Sequence, residues 1–334
     1  MSYKVLLYTE FEKLTKESGL GKAIRHQEQA LKENDIPYTL NPSDDFDILH
    51  LNFYGPKSFL MAKKARKNGK KVVYHAHSTE EDFRNSFIFS NQIAPLFKKW
   101  IKKCYSLGDA IITPTPYSKR LLENYGLKNI YAISNGVDTK FFKKDKELGK
   151  KFREKYGFEK DDKVVLGIGL FLKRKGIIDF VELAKRLPEY QFIWFGHTTK
   201  AVIPREIKEA LKNAPKNVKF PGHVKAEMIK AAMSGADLYV FPTLEETEGI
   251  PALEAAACEQ KAILRDIPVF EGWMEDGKNV YLAKDVDDFE RKIKQILNNE
   301  LPDLTKAARK TALKKDIRET GKELIAVYEK VLAE

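Results

Sequence analysis

Residues 164–176 read Val-Val-Leu-Gly-Ile-Gly-Leu-Phe-Leu-Lys-Arg-Lys-Gly. An apolar run of this kind is the pattern of a strand buried on both faces, and it predicts a strand over 164–170. Three cations and Gly176 stop it, and a helical pattern follows over 177–187. The same unit then repeats toward the C-terminus. Strands are expected at 191–195, 217–220, 237–241 and 261–264, with helices at 204–213, 225–234 and 251–259 between them. The last stretch, 303–333, is helical by pattern. Going the other way, residues 139–163 are dense in charge and read as a linker with a surface helix. Before them lies a second alternating series, with strands at 4–8, 48–52, 71–75, 110–114 and 130–133. Its helices are expected at 22–33, 56–67, 93–107 and 117–125. Strand–helix alternation in both halves predicts an α/β chain of two Rossmann-like domains with parallel sheets. Ligands of such sheets sit beyond the C-terminal strand ends, so two of them facing one another would enclose a central cleft.

Composition narrows the classes. The chain has 334 residues, 43% of them hydrophobic, which suits two domains of about 150 residues with real cores. No apolar run approaches the roughly 20 residues of a spanning helix. The start, Met1-Ser2-Tyr3-Lys4, shows no signal-peptide pattern, and two cysteines offer no disulfide framework, so a reduced, cytoplasmic location is expected. Residues 1–150 carry 26 Lys and Arg against 17 Asp and Glu, whereas the remainder carries 33 against 31. The basic field of the first half points to an anionic surface, nucleic acid or acidic lipid. No helix-turn-helix, zinc or RNA-platform pattern supports nucleic acid.

Several motifs carry chemistry. At 241–258 the sequence Phe-Pro-Thr-Leu-Glu-Glu-Thr-Glu-Gly-Ile-Pro-Ala-Leu-Glu-Ala-Ala-Ala-Cys turns from loop to helix at Gly249, Ile250 and Pro251. The helix start can seat a phosphate, and Glu246 and Glu254 can accept hydrogen bonds from sugar hydroxyls. The plainer reading is an acidic turn that complements the helix dipole. Lys173-Arg174-Lys175-Gly176 suits a diphosphate, or is a solvated basic turn. Ser18-Gly19-Leu20-Gly21 is a loop that a ligand could approach closely, or an ordinary βα turn. His75-Ala76-His77 ends a strand, and its two imidazoles are read as facing opposite ways, one inward and one toward a ligand. That arrangement disfavours a shared metal, and no zinc-type spacing exists elsewhere. Along 93–107, Ile93, Leu96, Phe97, Trp100, Ile101, Cys104 and Leu107 follow helical spacing, with Lys98, Lys99, Lys102 and Lys103 on the other side. This is either a helix packed on its own sheet or one lying in a membrane interface.

Asn135-Gly136-Val137-Asp138-Thr139-Lys140-Phe141, Lys173–Gly176 and the glutamates at 246 and 254 together resemble family 4 glycosyltransferases, which have the GT-B fold. Further stretches narrow the likeness. His75–Phe83, Ser86-Phe87, Phe171–Gly176, Phe192–Gly196 and Glu245–Gly249 resemble the Gram-positive enzymes that add a second hexose to glucosyl-diacylglycerol for the lipoteichoic acid anchor. The resemblance implies three segments: an acceptor- and membrane-facing domain over 1–146, a nucleotide-sugar domain over 147–315, and a C-terminal helix over 316–334 packed back on the first. It implies retaining transfer of galactose or glucose from a UDP-hexose to glucosyl-diacylglycerol, without a metal or other cofactor, by a protein bound peripherally to the inner face of the cell membrane. The catalytic set would be His77, Arg174, Lys175 and Glu246. Donor contacts would come from Gly19, Val224, Gly249, Ile250 and Glu254. Anionic lipids would meet Phe97, Lys98, Lys99, Trp100, Lys102 and Lys103. Two positions depart from the family pattern: Leu170 stands where many members carry Arg, and Glu248 where an aromatic is common. A first-step diacylglycerol glucosyltransferase, a soluble glycosyltransferase, and an epimerase on the same fold are the competing enzyme classes.

Overall fold

The computed structural model describes residues 3–10, 19–199 and 202–334. Contacts divide the chain into two compact units. The first comprises Met1–Phe83, Gln92–Asp138 and Lys315–Glu334, the second Arg84–Asn91 and Thr139–Lys314.

The first unit holds a six-stranded parallel sheet of β1 (Val5–Tyr8), β2 (Tyr38–Thr39), β3 (Ile48–Leu51), β4 (Lys71–His75), β5 (Ala110–Thr113) and β6 (Ile130–Ala132). Its order is β2-β1-β3-β4-β5-β6. β3 and β5 are buried along their whole length, as expected of a sheet covered on both faces. One face is closed by the helix Gly19–Glu33 and by the last helix of the chain, Ile317–Ala333. Those two helices lie close enough that a Cβ at Gly321 would come within 3.1 Å of the Ala30 carbonyl oxygen. Leu324, Val327, Tyr328 and Val331 of the last helix join Val5, Leu7, Ile48 and Val73 in one buried cluster. Lys315 and Ile317 tie to Val137 through two backbone hydrogen bonds of 3.0 and 3.2 Å.

The second unit repeats the plan with β7 (Val164–Ile168), β8 (Gln191–Phe195), β9 (Val218–Gly222), β10 (Leu238–Phe241), β11 (Ala262–Arg265) and β12 (Tyr281–Ala283). The order is β12-β11-β10-β7-β8-β9, all parallel. From β7 the chain winds first to β8 and β9, then crosses back to β10 on the other side. The loops after β7 and β10 therefore flank the point where strand order reverses, which is where open sheets bind ligands. The core behind that point is aromatic: Phe180 packs edge-on to Phe192 and Trp194 at centroid distances of 5.3 and 5.0 Å. Gly167 makes this possible, because a Cβ there would run into Trp194 and Phe180.

The charged stretch from 139 to 163 forms the helix Lys146–Tyr156, capped by Asp145 and ended by Gly157 in the left-handed conformation. The C-terminal helical pattern resolves into two helices, Thr305–Lys314 and Ile317–Ala333, and a further helix, Val286–Leu297, follows β12. No helix among the described residues is long and apolar enough to cross a membrane.

Candidate active site

In the second unit the cations after β7 meet the acidic loop after β10. Lys173–Lys175 forms a single 3₁₀ turn and Gly176 reverses the chain with φ 73°. Only glycine fits there, since a Cβ would overlap the Pro242 carbonyl. The Leu244 N–H donates to the Arg174 carbonyl at 2.7 Å, which fastens the two loops together. Lys175 Nζ donates to Glu246 Oε2, with the two side chains only 15% and 12% exposed. Arg174 donates from Nη1 to the Glu245 carbonyl at 3.2 Å and from Nε to Ser86 Oγ at 2.9 Å. Its own N–H reaches the Asn85 carbonyl at 3.3 Å, and this grip explains why Arg84–Asn91 groups with the second unit.

Burial works to raise the Glu246 carboxyl, but Lys175, Arg174 and the Thr247 N–H outweigh it and hold Glu246 below the ordinary carboxylate range. Glu246 is thus an anion. Glu248 is buried beside the same turn. Gly249 caps the helix Ile250–Ala257 with φ 88° and no side-chain cap, and Pro251 occupies its first turn. Glu254 lies inside that helix and is fully buried. Val224 is half-buried in the loop between β9 and the helix Ala226–Gly235, also at a C-terminal strand end. Leu170, in the position where an arginine was the family expectation, stays partly exposed. The structure therefore gathers Arg174, Lys175 and Glu246 at one strand-order reversal. Gly249, Ile250 and Glu254 follow on the next helix.

In the first unit Gly19 is the exposed first residue of its helix, while Ser18 lies outside the described residues. The histidines need a correction. Residues two apart on a strand share a face, so His75 and His77 do not diverge. Their rings stack at 4.1 Å with 2° between planes. His75 in turn stacks on His50 from β3 at 5.3 Å. His77 Nε2 lies 2.8 Å from Asn52 Oδ1, and Gln27 Nε2 donates to the same oxygen at 2.9 Å and sits 2.8 Å from His75 Nδ1. His50 Nε2 is 3.2 Å from His75 Nδ1, and its Nδ1 meets the Tyr328 hydroxyl. Burial pushes His50 and His77 down to about 3 and His75 well below its usual value, so all three are neutral. Asn52 and Gln27 escaped the sequence reading. The one available signal was Asn52 directly after a strand, at the end where ligands sit.

The helix at 90–105 corrects a second expectation. Phe97 is 9% exposed and stacks on Phe83 at 4.1 Å. Trp100 is half-buried and donates from Nε1 to the Tyr54 carbonyl at 2.7 Å. Lys98 folds over the Tyr125 ring at 4.3 Å and pairs with Glu80 at 3.1 Å. These three side chains serve the unit's own packing, because Phe97 and Trp100 lie on the stripe with Ile101 and Cys104 that covers the sheet. The outward apolar residues are Ile93 and Leu96, the latter 66% exposed, flanked by exposed Lys99, Lys102 and Lys103. Phe59 of the helix Pro56–Lys67 tilts against Trp100 at 5.5 Å, with Lys63 and Lys103 above its ring, and Leu60 beside it is 64% exposed.

Comparison with known proteins places this geometry in context. The "Glycosyl transferases group 1" model matches residues 149–315 and the "Glycosyltransferase Family 4" model residues 23–141. A processive diacylglycerol alpha-glucosyltransferase from Acholeplasma laidlawii is 39% identical over 331 residues, 98% of each chain. An alpha-galactosylglucosyldiacylglycerol synthase from Streptococcus pneumoniae is 27% identical over 260 residues, 75% of this chain and 68% of that protein. Among solved structures, sucrose-phosphate synthase from Thermosynechococcus elongatus superposes with a TM-score of 0.83 at 16% identity, over 99% of both chains. HepE from Anabaena in complex with UDP-glucose gives 0.78 at 16% identity, over 99% of this chain and all of that one.

Proposed function

Since the chain belongs to the family 4 and group 1 glycosyltransferases, we propose that it transfers a hexosyl group from a UDP-sugar to a diacylglycerol lipid, with glucose as the favoured sugar. The observation that carries this reading is the 39% identity, over nearly the whole of both chains, to a processive diacylglycerol alpha-glucosyltransferase. The favoured acceptors are diacylglycerol and its glucosylated product, since a processive enzyme takes up what it has made. Galactosyl transfer to glucosyl-diacylglycerol is the second reading, favoured by the 27% likeness to the pneumococcal synthase.

Lys175 and Arg174 would hold the donor diphosphate at the strand-order reversal. Negative charge builds on that diphosphate as the sugar leaves, and these cations with the N-terminus of the Ile250–Ala257 helix would stabilise it. With Lys175 drawn to the diphosphate, Glu246 is left as an anionic acceptor for donor-sugar hydroxyls. His77 would face the transferred sugar. This reading assigns no enzyme nucleophile, so retention would follow front-face substitution in which the departing diphosphate helps take the acceptor's proton. The cations already present neutralise the phosphates, and the reading needs no metal.

The acceptor lies in a bilayer, and the surface we assign to it is formed by Ile93, Leu96 and Leu60 ringed by Lys63, Lys99, Lys102 and Lys103. Each lysine near an acidic membrane adds roughly 1 kcal/mol, and the attraction weakens with salt. The test combines the purified protein, UDP-glucose or UDP-galactose, and vesicles of anionic lipid containing diacylglycerol or glucosyl-diacylglycerol. Products are identified by mass and linkage. UDP release that ignores the lipid acceptor would discard this function.

A further inference from the structure

The buried polar chain of the first unit bears on His77 in a way that the family resemblance does not supply. Six side chains form it: Tyr328 on the last helix, His50 at β3, His75 at β4, Gln27 on the Gly19–Glu33 helix, Asn52 after β3, and His77. Burial keeps each imidazole neutral, so each ring has one N–H and one lone pair. It also keeps the Tyr328 phenol protonated. Hydrogen-bond direction then follows from the two amides, since Gln27 Nε2 donates to Asn52 Oδ1. The Tyr328 O–H donates to His50 Nδ1, which leaves the His50 proton on Nε2, facing His75 Nδ1. Gln27 has two amide protons on Nε2, and these serve His75 Nδ1 and Asn52 Oδ1. Asn52 Oδ1 only accepts, so the proton between it and His77 belongs to His77 Nε2. Reversing the whole chain would turn both amides and make Tyr328 an acceptor, trading the buried His75 Nε2, which has no partner among the described residues in the direction drawn here, for a buried Tyr328 O–H.

We infer that Asn52, oriented by Gln27, is a positioning residue that locks His77 as the Nε2–H tautomer. Nδ1 is thereby presented as a hydrogen-bond acceptor for a hydroxyl of the transferred sugar. This rests on the reading of His77 as the group beside that sugar. His77 Nδ1 makes no hydrogen bond among the described residues, and no side chain but Asn52 is recorded on its Nε2. A neutral acceptor in this place favours a hydroxyl donor over an anion, so the site selects for the sugar's hydroxyl pattern and not for phosphate.

The test is nitrogen NMR of the full chain labelled at histidine, with the His77 signals assigned by their loss in H77Q. The expected spectrum has a protonated Nε2 and a bare Nδ1. A protonated Nδ1, or an even mixture of tautomers, overturns the proposal. N52D keeps an acceptor at the same place and should keep the proton on Nε2 when read at a pH high enough that the added charge does not protonate the ring twice, whereas N52A should release it and lower kcat/KM by about tenfold, the worth of one hydrogen bond. If N52A does not fold, the wild-type and N52D spectra still decide. An N52A protein with an unchanged His77 spectrum would also overturn the proposal. Full turnover by H77Q would sink the sugar-facing role of His77 separately, since the wild-type tautomer is measured without substrate.

Discussion

The two parallel sheets end in opposite chemistry. β3 and β4 finish in neutral imidazoles and amides bonded to each other, buried at His50, His75 and Asn52 and half-buried at His77. β7 and β10 finish in Lys175, Arg174 and Glu246, charged and only slightly exposed. A neutral cluster recognises the direction of hydrogen bonds, while a charged one stabilises charge that builds during reaction. The same architecture accommodates both because strand ends are free of ladder duties and their loops can carry any residue.

The widest predicted gap between the two regions is in catalysis. K175A should lower turnover by roughly 10²–10³-fold, as removal of one preorganised charge does elsewhere. It also strands Glu246, so melting should fall with it. The double variant K175M/E246Q should recover the melting temperature and leave turnover low. Near wild-type UDP release by K175A would erase the contrast.

Glycines sharpen the comparison within the charged region. G176A forces a Cβ into the Pro242 carbonyl at positive φ, and should cost on the order of 3 kcal/mol. G249A meets only ordinary contacts of 3.5 Å, so its cost is the left-handed backbone alone, about 1–2 kcal/mol. Equal losses in denaturant melts would mean that the Pro242 contact is not as tight as it stands here.

Acid should separate the two regions. Burial lowers His26 to about 4, with Lys22 adding to the effect, and lowers His50, His75 and His77 as described. For these groups the unfolded chain binds more protons, so their stabilisation is complete above about pH 6.5 and drains as pH falls from there. Glu246 has a depressed value, so its contribution is complete above its ordinary 4.5 and drains only as pH falls from there toward the folded value. Hydrogen exchange, read peptide by peptide and corrected for intrinsic rates, should show the first unit loosening at the higher pH. Simultaneous loosening at pH 4 would contradict the buried, neutral state of the histidines.

The smallest effect separates neighbours on one helix. L96D should weaken binding to anionic vesicles by roughly tenfold, from one apolar side chain withdrawn from lipid, with melting nearly unchanged. F97A should do the reverse and cost about 3 kcal/mol of stability. Vesicle binding indifferent to L96D would remove this helix from the membrane surface.

Much of this was legible from the residues. The alternation of apolar runs with helical patterns located most strands and helices to within a few positions, because parallel strands buried on both faces leave a continuous signal. Lys175 and Glu246 fall in one site by the family resemblance, and the fold brings them together because strand-end loops converge at a reversal of strand order. What failed was direction. Ile93, Leu96, Phe97 and Trp100 share one helical stripe by spacing, and only the position of the sheet decides that the latter two turn inward. β2 and β12, of two and three residues, are too short to show a period. The links from Gln27 and Tyr328 to the histidines span sequence separations of 48 and 278 residues and leave no local trace.

The last helix sets the order in which this protein can be made. Tyr328 and Val331 are walls of the first unit's core, yet a ribosome delivers them after the whole second unit. The N-terminal sheet must therefore wait, with one flank open, until the whole second unit has been synthesised. A stop codon at position 315 would leave the first unit without the piece that seals it.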